Sequence, residues 1–525
     1  MIKFAAAIAF AIVATTLCGR WSADRLAKLQ PDAHFERYAP LDQINRANVS
    51  KLKQLCVYDL RIDTSFQTGP IVIGRTMYAT TDKEILAIDA ANLPTEMAGA
   101  GGGTLHRPAR QSRSGLSRWP ALSAARPTGT CWPTTPRPGR SSWSTRIAYQ
   151  DKGESIPSAP IAWNGLVFIG TAGSERHGVL GAYARSRRQT GKVAWETYTV
   201  PTEAPQPGNE KMQQQAKATW GNASDVPITG GGTWSSLHTG CRTRASVCAR
   251  RQSGPDFANA VRPGSNLYTN SILILDAKTG IYRNHYSLVP ADFHDWDLAA
   301  APYSSPPRAA SASSRGAEGR PSPRLRSGDR PEAVRDGDHD ARERGRAVVD
   351  EPTRFCPEPP VAPNGTVLRY SPDTNMFYSG TVDWCVTVTL DPAELAKKPG
   401  QTWTGTELAA QFGKRDLDWA GWVDRDRCRR RTGQVALHRL RAPVLSGITP
   451  TKGGPVFAAD MDKHAYAFDA SNGKILWRTD LPGAPGGGLI TYAVDGKQCV
   501  AFVTGTRSQV FPASPASSRI VIFGL

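Results

Sequence analysis

Short apolar runs alternate with polar positions along much of the chain at the two-residue period of a strand, and many end at turn residues. The clearest copies are "EILAIDAANL" (84–93), "GAYARSRRQTGKVAWETY" (181–198), "ILILDAKTGIYRNHYSL" (272–288) and "AYAFDASNGKILWRTDL" (465–481). The shared plan is an apolar strand, a small residue with Asp, a turn carrying Thr-Gly or Asn-Gly, and a second strand ending in an aromatic. Each copy predicts a β-hairpin. A lone hairpin is marginal in water, so recurrence predicts stacked units. Four-stranded sheets repeated radially, a β-propeller, bury those faces and leave few open edges. Helical periodicity is scarce, and only "LDPAELAKKPG" and "TGTELAAQFGK" predict short helices.

At 525 residues core size is not limiting. The formal charge of +18 suggests an anionic partner until its distribution is considered. Stretches 107–146, 242–251, 308–346 and 424–441 hold 29 of the 64 basic residues, all arginine, and 9 of the 46 acidic ones. The remainder carries 35 basic against 37 acidic residues, a net charge of −2, so nucleic acid is not an expected partner. The stretches break the repeat pattern, and 107–140 and 308–346 lack strand alternation, resemble low-complexity sequence and sit where blades belong. They are read as out-of-frame translations of a GC-rich coding region, with natural disordered insertions as the alternative.

Residues 1–22, opening "MIKFAAAIAFAIVATTLCGR", have one lysine, an apolar run and then small residues, the build of a secretory signal. The run is too short for a confident membrane span, so no stable transmembrane helix is expected after cleavage and residues 23–525 form the propeller domain. Nine cysteines fit an exported protein, with Cys356 and Cys385 as the expected disulfide pair. No C-x-x-C-H motif occurs, which argues against covalent haem.

Several segments carry a family resemblance: "FERYAPLDQINRANVSKLKQL" (35–55), "SIPSAPIAWNGLVFIGTAGSERHGVLGAY" (155–183), "GGGTWSSL" (230–237), "RPGSNLYTNSILILDAKTG" (262–280), "HDWD" (294–297) and "GGGLITYAVDGKQCVAFVTG" (486–505). Together they resemble the pyrroloquinoline quinone (PQQ)-dependent alcohol dehydrogenases, from about residue 35 to the C-terminus outside the arginine-rich stretches. The resemblance implies an all-β, eight-bladed propeller (the quinoprotein superbarrel), incomplete or distorted at those stretches. It also implies PQQ near the axis beside Ca²⁺, a small-molecule alcohol substrate, a separate cytochrome c acceptor and a periplasmic location.

Alcohol oxidation at a quinone carbonyl needs a base for the hydroxyl proton and a Lewis acid for the carbonyl. Asp297 matches the family's catalytic aspartate, which also neighbours the metal; a lone Asp there would otherwise read as a turn or cap residue. His294 and Asp295 are expected to hold the loop, with Trp296 anchoring it in a blade. Glu175 matches the calcium-ligating glutamate beside the cofactor, and calcium's six to eight hard oxygen ligands require further donors. Ala299 stands where lanthanide-dependent members carry an extra carboxylate, so calcium is the expected ion. Trp234 matches the indole floor under the quinone, where preceding glycines allow close backbone approach.

The chain also departs from the family pattern. "RRQSG" stands before "PDFANAVRPGSN" where a calcium-ligating Asn motif is expected, and "RPARQSRS" follows "GGGTLH" where an arginine for the PQQ carboxylates belongs. A basic residue near the quinone oxygens is not assignable within 308–346, and the family's adjacent-cysteine disulfide is absent. These losses set an inactive product, or a non-catalytic propeller acting as a scaffold or in envelope assembly, beside the enzymatic reading.

Overall fold

The computed structural model describes residues 38–60, 69–80, 85–91, 123–125, 130–133, 143, 145–157, 160–163, 165–187, 190–233, 238–239, 245–248, 253–295, 351–355, 369–383, 385–406, 420–427, 435–506 and 517–525. They form antiparallel sheets, most of them meanders of strands that follow one another in the chain. Five sheets have four strands and two have three; two-stranded pairs join Thr229–Gly230 to Ser253–Gly254 and Thr353–Phe355 to Val386–Val388. The seven larger sheets are blades of a propeller, against the eight expected; residues 296–350 lie outside the described residues. The blade containing Ile490–Val494, Lys497–Thr504 and Arg519–Gly524 is completed by Lys53–Asp59, so the sheet edge at one end of the chain is paired by the other.

Three predicted hairpins form whole. Ala182–Arg187 pairs with Val193–Tyr198, Ser271–Leu275 with Tyr282–Ser287, and His464–Asp469 with Ile475–Asp480. Each slips register once near the turn, at Arg185/Ser186, Ile274/Leu275 and Ala467/Phe468. The turn glycines Gly191, Gly280 and Gly473 sit at φ of +70°, +73° and +78°, where a side chain is strained. The closing aromatic of one repeat docks on the turn of another: Trp195 Nε1 donates to the Ala277 carbonyl at 3.2 Å. A Cβ on Gly280 would stand 2.6 Å from the Trp195 ring, so this turn is glycine for space as well as for φ. In "EILAIDAANL", Ile85–Asp89 is a strand paired with Thr76–Thr80, while the segment after Ala91 lies outside the described residues.

Strands form within three of the four arginine-rich stretches, including 107–140, where no alternation is expected. Ala420–Arg427 pairs with Val435–Leu440 and carries the same kind of bulge, at Val423/Asp424. Ala420, Val423 and Leu440 are buried, while the Arg439 guanidinium lies 5.5 Å from the Trp422 ring centroid, so the arginines decorate a working strand pair. Strands Ser123–Ala125, Thr130–Pro133 and Thr145–Arg146 form a three-stranded blade within the first stretch, and Ala245–Cys248 forms within the second. All of 308–346 lies outside the described residues, as do the segments between these strands and the expected secretory signal at 1–22.

Two short helices stand apart from the sheets. Pro392–Leu395 lies in the predicted "LDPAELAKKPG", capped by the Asp391 side chain accepting from the Ala393 amide. Glu210–Lys217 forms without having been predicted; Asn209 at its start donates to the Gly280 carbonyl and accepts from the Tyr282 amide, tying it to a blade turn. No described helix is long and apolar enough to cross a membrane. Cys385 is disulfide-bonded, but Cys356 lies outside the described residues, so the expected pairing stays an expectation.

Candidate cofactor site

The strand Leu166–Gly170, buried along its whole length, delivers "TAGSERHG" to the site. Ser174 is fully buried and its hydroxyl accepts the Gly232 amide. The next residue, Glu175, is partly exposed, and its carbonyl accepts the Trp403 amide at 2.6 Å. His177 exchanges two backbone bonds with the same strap, donating to Gln401 and accepting from Gly400 at 2.9 Å each. The rings of His177 and Trp403 meet edge to face with centroids 4.6 Å apart. Burial pushes the His177 imidazole below its ordinary value, so the ring beside Glu175 is neutral at pH 7.

"GGGT" lies against this loop. The Gly181 amide donates to the Gly230 carbonyl at 2.8 Å, and the Thr233 amide to the Thr171 carbonyl at 2.6 Å. A Cβ on Gly232 would stand 2.5 Å from Ser174 Oγ, so the triple glycine lets one backbone lie on another. Thr233 is buried, and its hydroxyl oxygen has no hydrogen-bond partner among the described residues. Trp234, the expected floor, is the next residue and lies outside the described residues.

A third segment joins from the other side. Ser253 and Gly254 pair with Gly230 and Thr229, and a Cβ on Gly254 would lie 2.9 Å from the Ser174 carbonyl. Phe257 donates its amide to the Thr404 carbonyl at 3.0 Å, so the 401–406 strap touches both the Glu175 loop and this one. Beyond it, Arg262 is buried with no exposure and reaches the loop 288–295 through the Asp292 carbonyl. Burial pushes the Arg262 guanidinium down to about 10, against the opposing pull of Asp292 and Asp256. His294 is buried, donates its amide to Asp292 Oδ1, and stacks on Phe293 at 4.1 Å, the loop-holding part expected of it. Asp295 closes the described part of the loop at φ +63°, and Trp296, Asp297 and Ala299 lie outside the described residues.

Folding thus brings Glu175 together with the glycines that lead to Trp234 and with the loop after Gly254, while the position of Asp297 falls beyond the described chain. Arg262, Asp292 and the 401–406 strap were missed as site-building residues; "RPGSN" was noted for its resemblance, and nothing local marks its arginine as buried. The fit to a quinone and a hard cation rests on donor chemistry: Glu175 offers a carboxylate, and the buried Thr233 hydroxyl has no hydrogen-bond partner among the described residues. Among the described residues no three His, Cys, Asp or Glu side chains gather as a metal cluster, so a cation here needs donors from the cofactor or from beyond them.

The chain is similar to known proteins in the same terms. A family model described as "Glucose/ethanol/alcohol dehydrogenase, beta-propeller domain", under the heading PQQ, matches residues 27–305 and 403–500. A quinohemoprotein alcohol dehydrogenase, ADH-IIG of Pseudomonas putida, is 26% identical over 518 residues, 90% of this chain and 71% of that protein. The dehydrogenase subunit of an Acetobacter aceti alcohol dehydrogenase (quinone) is 32% identical over 289 residues, 50% of this chain but only 38% of its own length. Among solved structures, a quinohemoprotein alcohol dehydrogenase from Comamonas testosteroni superposes with a TM-score of 0.69 at 21% identity, covering 94% of this chain and 80% of the other. A europium-containing methanol dehydrogenase gives 0.67 at 20% identity, covering 96% and 100%. At such identities the solved structures speak to the fold, whereas the family model spans well over half of the sequence. The chain belongs to the PQQ glucose/ethanol/alcohol dehydrogenase β-propeller family.

Proposed function

We propose that this protein is a periplasmic quinoprotein that oxidises an alcohol and passes the electrons to a separate cytochrome c. The observation that carries the reading is the packing of the Glu175 loop directly on "GGGT", two segments more than fifty residues apart whose motifs match the metal and cofactor contacts of the family. PQQ and Ca²⁺, when bound, supply a two-electron acceptor and a Lewis acid. Glu175 provides a carboxylate oxygen for the cation, Thr233 a hydroxyl for a cofactor oxygen, and Trp234 a flat apolar surface. Asp297 takes the hydroxyl proton of the alcohol as general base and lies near the cation. The leader at 1–22 supports export, and the Acetobacter relative's designation as a dehydrogenase subunit supports a separate acceptor.

Three contacts expected from the family fall in or beside the arginine-rich stretches, so affinity for PQQ and turnover are proposed to be low in the chain as it stands. Purified full-length protein reconstituted with PQQ and Ca²⁺ tests the reading against a panel of primary alcohols with an artificial electron-accepting dye. Alcohol-dependent dye reduction that needs both additions supports it. Tight PQQ binding with no reduction by any alcohol would leave a non-catalytic propeller, and no PQQ binding at all would remove the cofactor from the account.

A further inference from the structure

We propose that Arg262 is a positioning residue: its buried guanidinium fastens the loop that leaves Gly254 to the loop that ends at Asp295, and so fixes where the chain departs toward Asp297. The inference rests on the reading of Asp297 as the base, and deepens it.

Arg262 has no exposed surface and spends four donor bonds on two chain segments. Nε donates to the Pro255 carbonyl at 2.9 Å, and Nη1 to Asn266 Oδ1 at 2.8 Å. Nη2 is shared between the carbonyls of Asp256 and Asp292, each at 2.8 Å. The Asp256 bond lies on the loop joined to Gly230 and Ser174; the Asp292 bond lies thirty residues away on the loop that carries His294. A planar fork with donors on three nitrogens spans these acceptors at once, which the single nitrogen of a lysine does not. A buried guanidinium also needs compensating charge, and the neighbouring carboxylates of Asp256 and Asp292 supply it.

A second tie lies beside the first. Asn270 Nδ2 donates to Asp292 Oδ2 at 2.8 Å, and the Asn270 carbonyl accepts the amides of Leu288 and Val289. The backbone of both segments is strained. Of eight non-glycine residues at positive φ among those described, five fall here: Asn266, Tyr268, Asn270, Ala291 and Asp295. Tyr268 and Ala291 are types that gain nothing local from the left-handed region, so the conformation persists only where surrounding bonds over-determine it. Arg262 and Asn270 supply bonds of that kind, to Asn266 and Asp292.

Arg262→Lys in the full-length chain tests this in two ways. Hydrogen exchange reads the fastening without any need for turnover: peptides covering 253–262 and 288–295 lose protection together, by an order of magnitude or more, while the blade hairpin 464–480 keeps its own. Steady-state kinetics then reads the positioning: kcat falls by about 100-fold, while KM and PQQ affinity change by less than about threefold. Protection lost on one loop only, or on neither, overturns the fastening. A fall in kcat matched by an equal loss of PQQ affinity overturns positioning in favour of general loosening. If Arg262→Lys does not fold, Asn270→Ser removes the lesser tie, and 288–295 alone is then expected to lose protection; unchanged protection there overturns the proposal. A wild-type protein that oxidises no alcohol, while Arg262→Lys still shows the coupled loss of protection, refutes the function and leaves the fastening standing.

Discussion

The arc from Thr449 to Gly524 and the loop pair 253–270 and 288–295 are both deeply buried, and they are held by opposite means. In the arc apolar burial predominates, although Asp460, Gln498 and Thr504 are buried there too: Val456, Phe457, Ala458 and Ala459 on one strand, and Val521 and Ile522 on another, have no exposed surface and sit in regular ladders. Phe502, Phe523 and Trp477 interlock there at centroid separations of 5.1–6.4 Å. In the loop pair the buried groups are Arg262, Asn266, Asn270, Asp256, Asp292 and His294, joined by side-chain bonds to a strained backbone. Apolar burial is non-directional and gives stability; bonds from a buried guanidinium and amides are directional and give position. The blades therefore make the ring, and the loops between them hold the proposed site.

The comparison breaks most sharply by moving each property separately. Asp297→Asn removes the proposed base while keeping size, so alcohol oxidation falls about 10²- to 10⁴-fold in dye-coupled assays, with little change in the thermal midpoint. Phe457→Ala in the arc does the reverse, lowering the unfolding free energy by about 3–5 kcal/mol in a urea titration, through lost burial and the cavity left behind. Gly280→Ala tests the turn that receives Trp195: strain at φ +73° and the ring clash together cost roughly 2–3 kcal/mol. Gly496→Ala, at φ +75° with open space around it, costs only about 1 kcal/mol, so the difference isolates the docking contact.

The smallest effect is a pH dependence. Burial holds Glu196 above its ordinary 4.5, so the fold favours the protonated acid. Its favourable contribution is present below about pH 4.5 and is lost as pH rises through the folded value. Glu196→Gln removes that loss, so the mutant's thermal midpoint varies less than the wild type's between pH 4 and 7, with an effect below about 1 kcal/mol.

The sequence makes the blades legible because their information is local. Alternation, a turn glycine and a closing aromatic recur in 181–198, 272–288 and 465–481, and all three hairpins form. The rule is harder to read at 424–441, where apolar residues such as Val435 and Leu440 are few among the arginines. Glu175 is legible only through its motif, because an isolated loop glutamate has no intrinsic mark. Arg262 and the 401–406 strap are not legible at all: their roles arise from partners as far as 228 positions away along the chain, as between Glu175 and Trp403. The helix Glu210–Lys217 is likewise fixed by Asn209 reaching the Gly280 turn, a contact no short window contains.

The account's central claim is that the Glu175 loop and "GGGT" form one cofactor site that requires a divalent ion. Equilibrium titration of PQQ into the full-length protein, with and without Ca²⁺, tests it most directly when repeated on Glu175→Gln. Calcium should tighten PQQ binding to the wild type by at least an order of magnitude and leave the Gln variant nearly unaffected. Equal calcium enhancement in both proteins would contradict the claim.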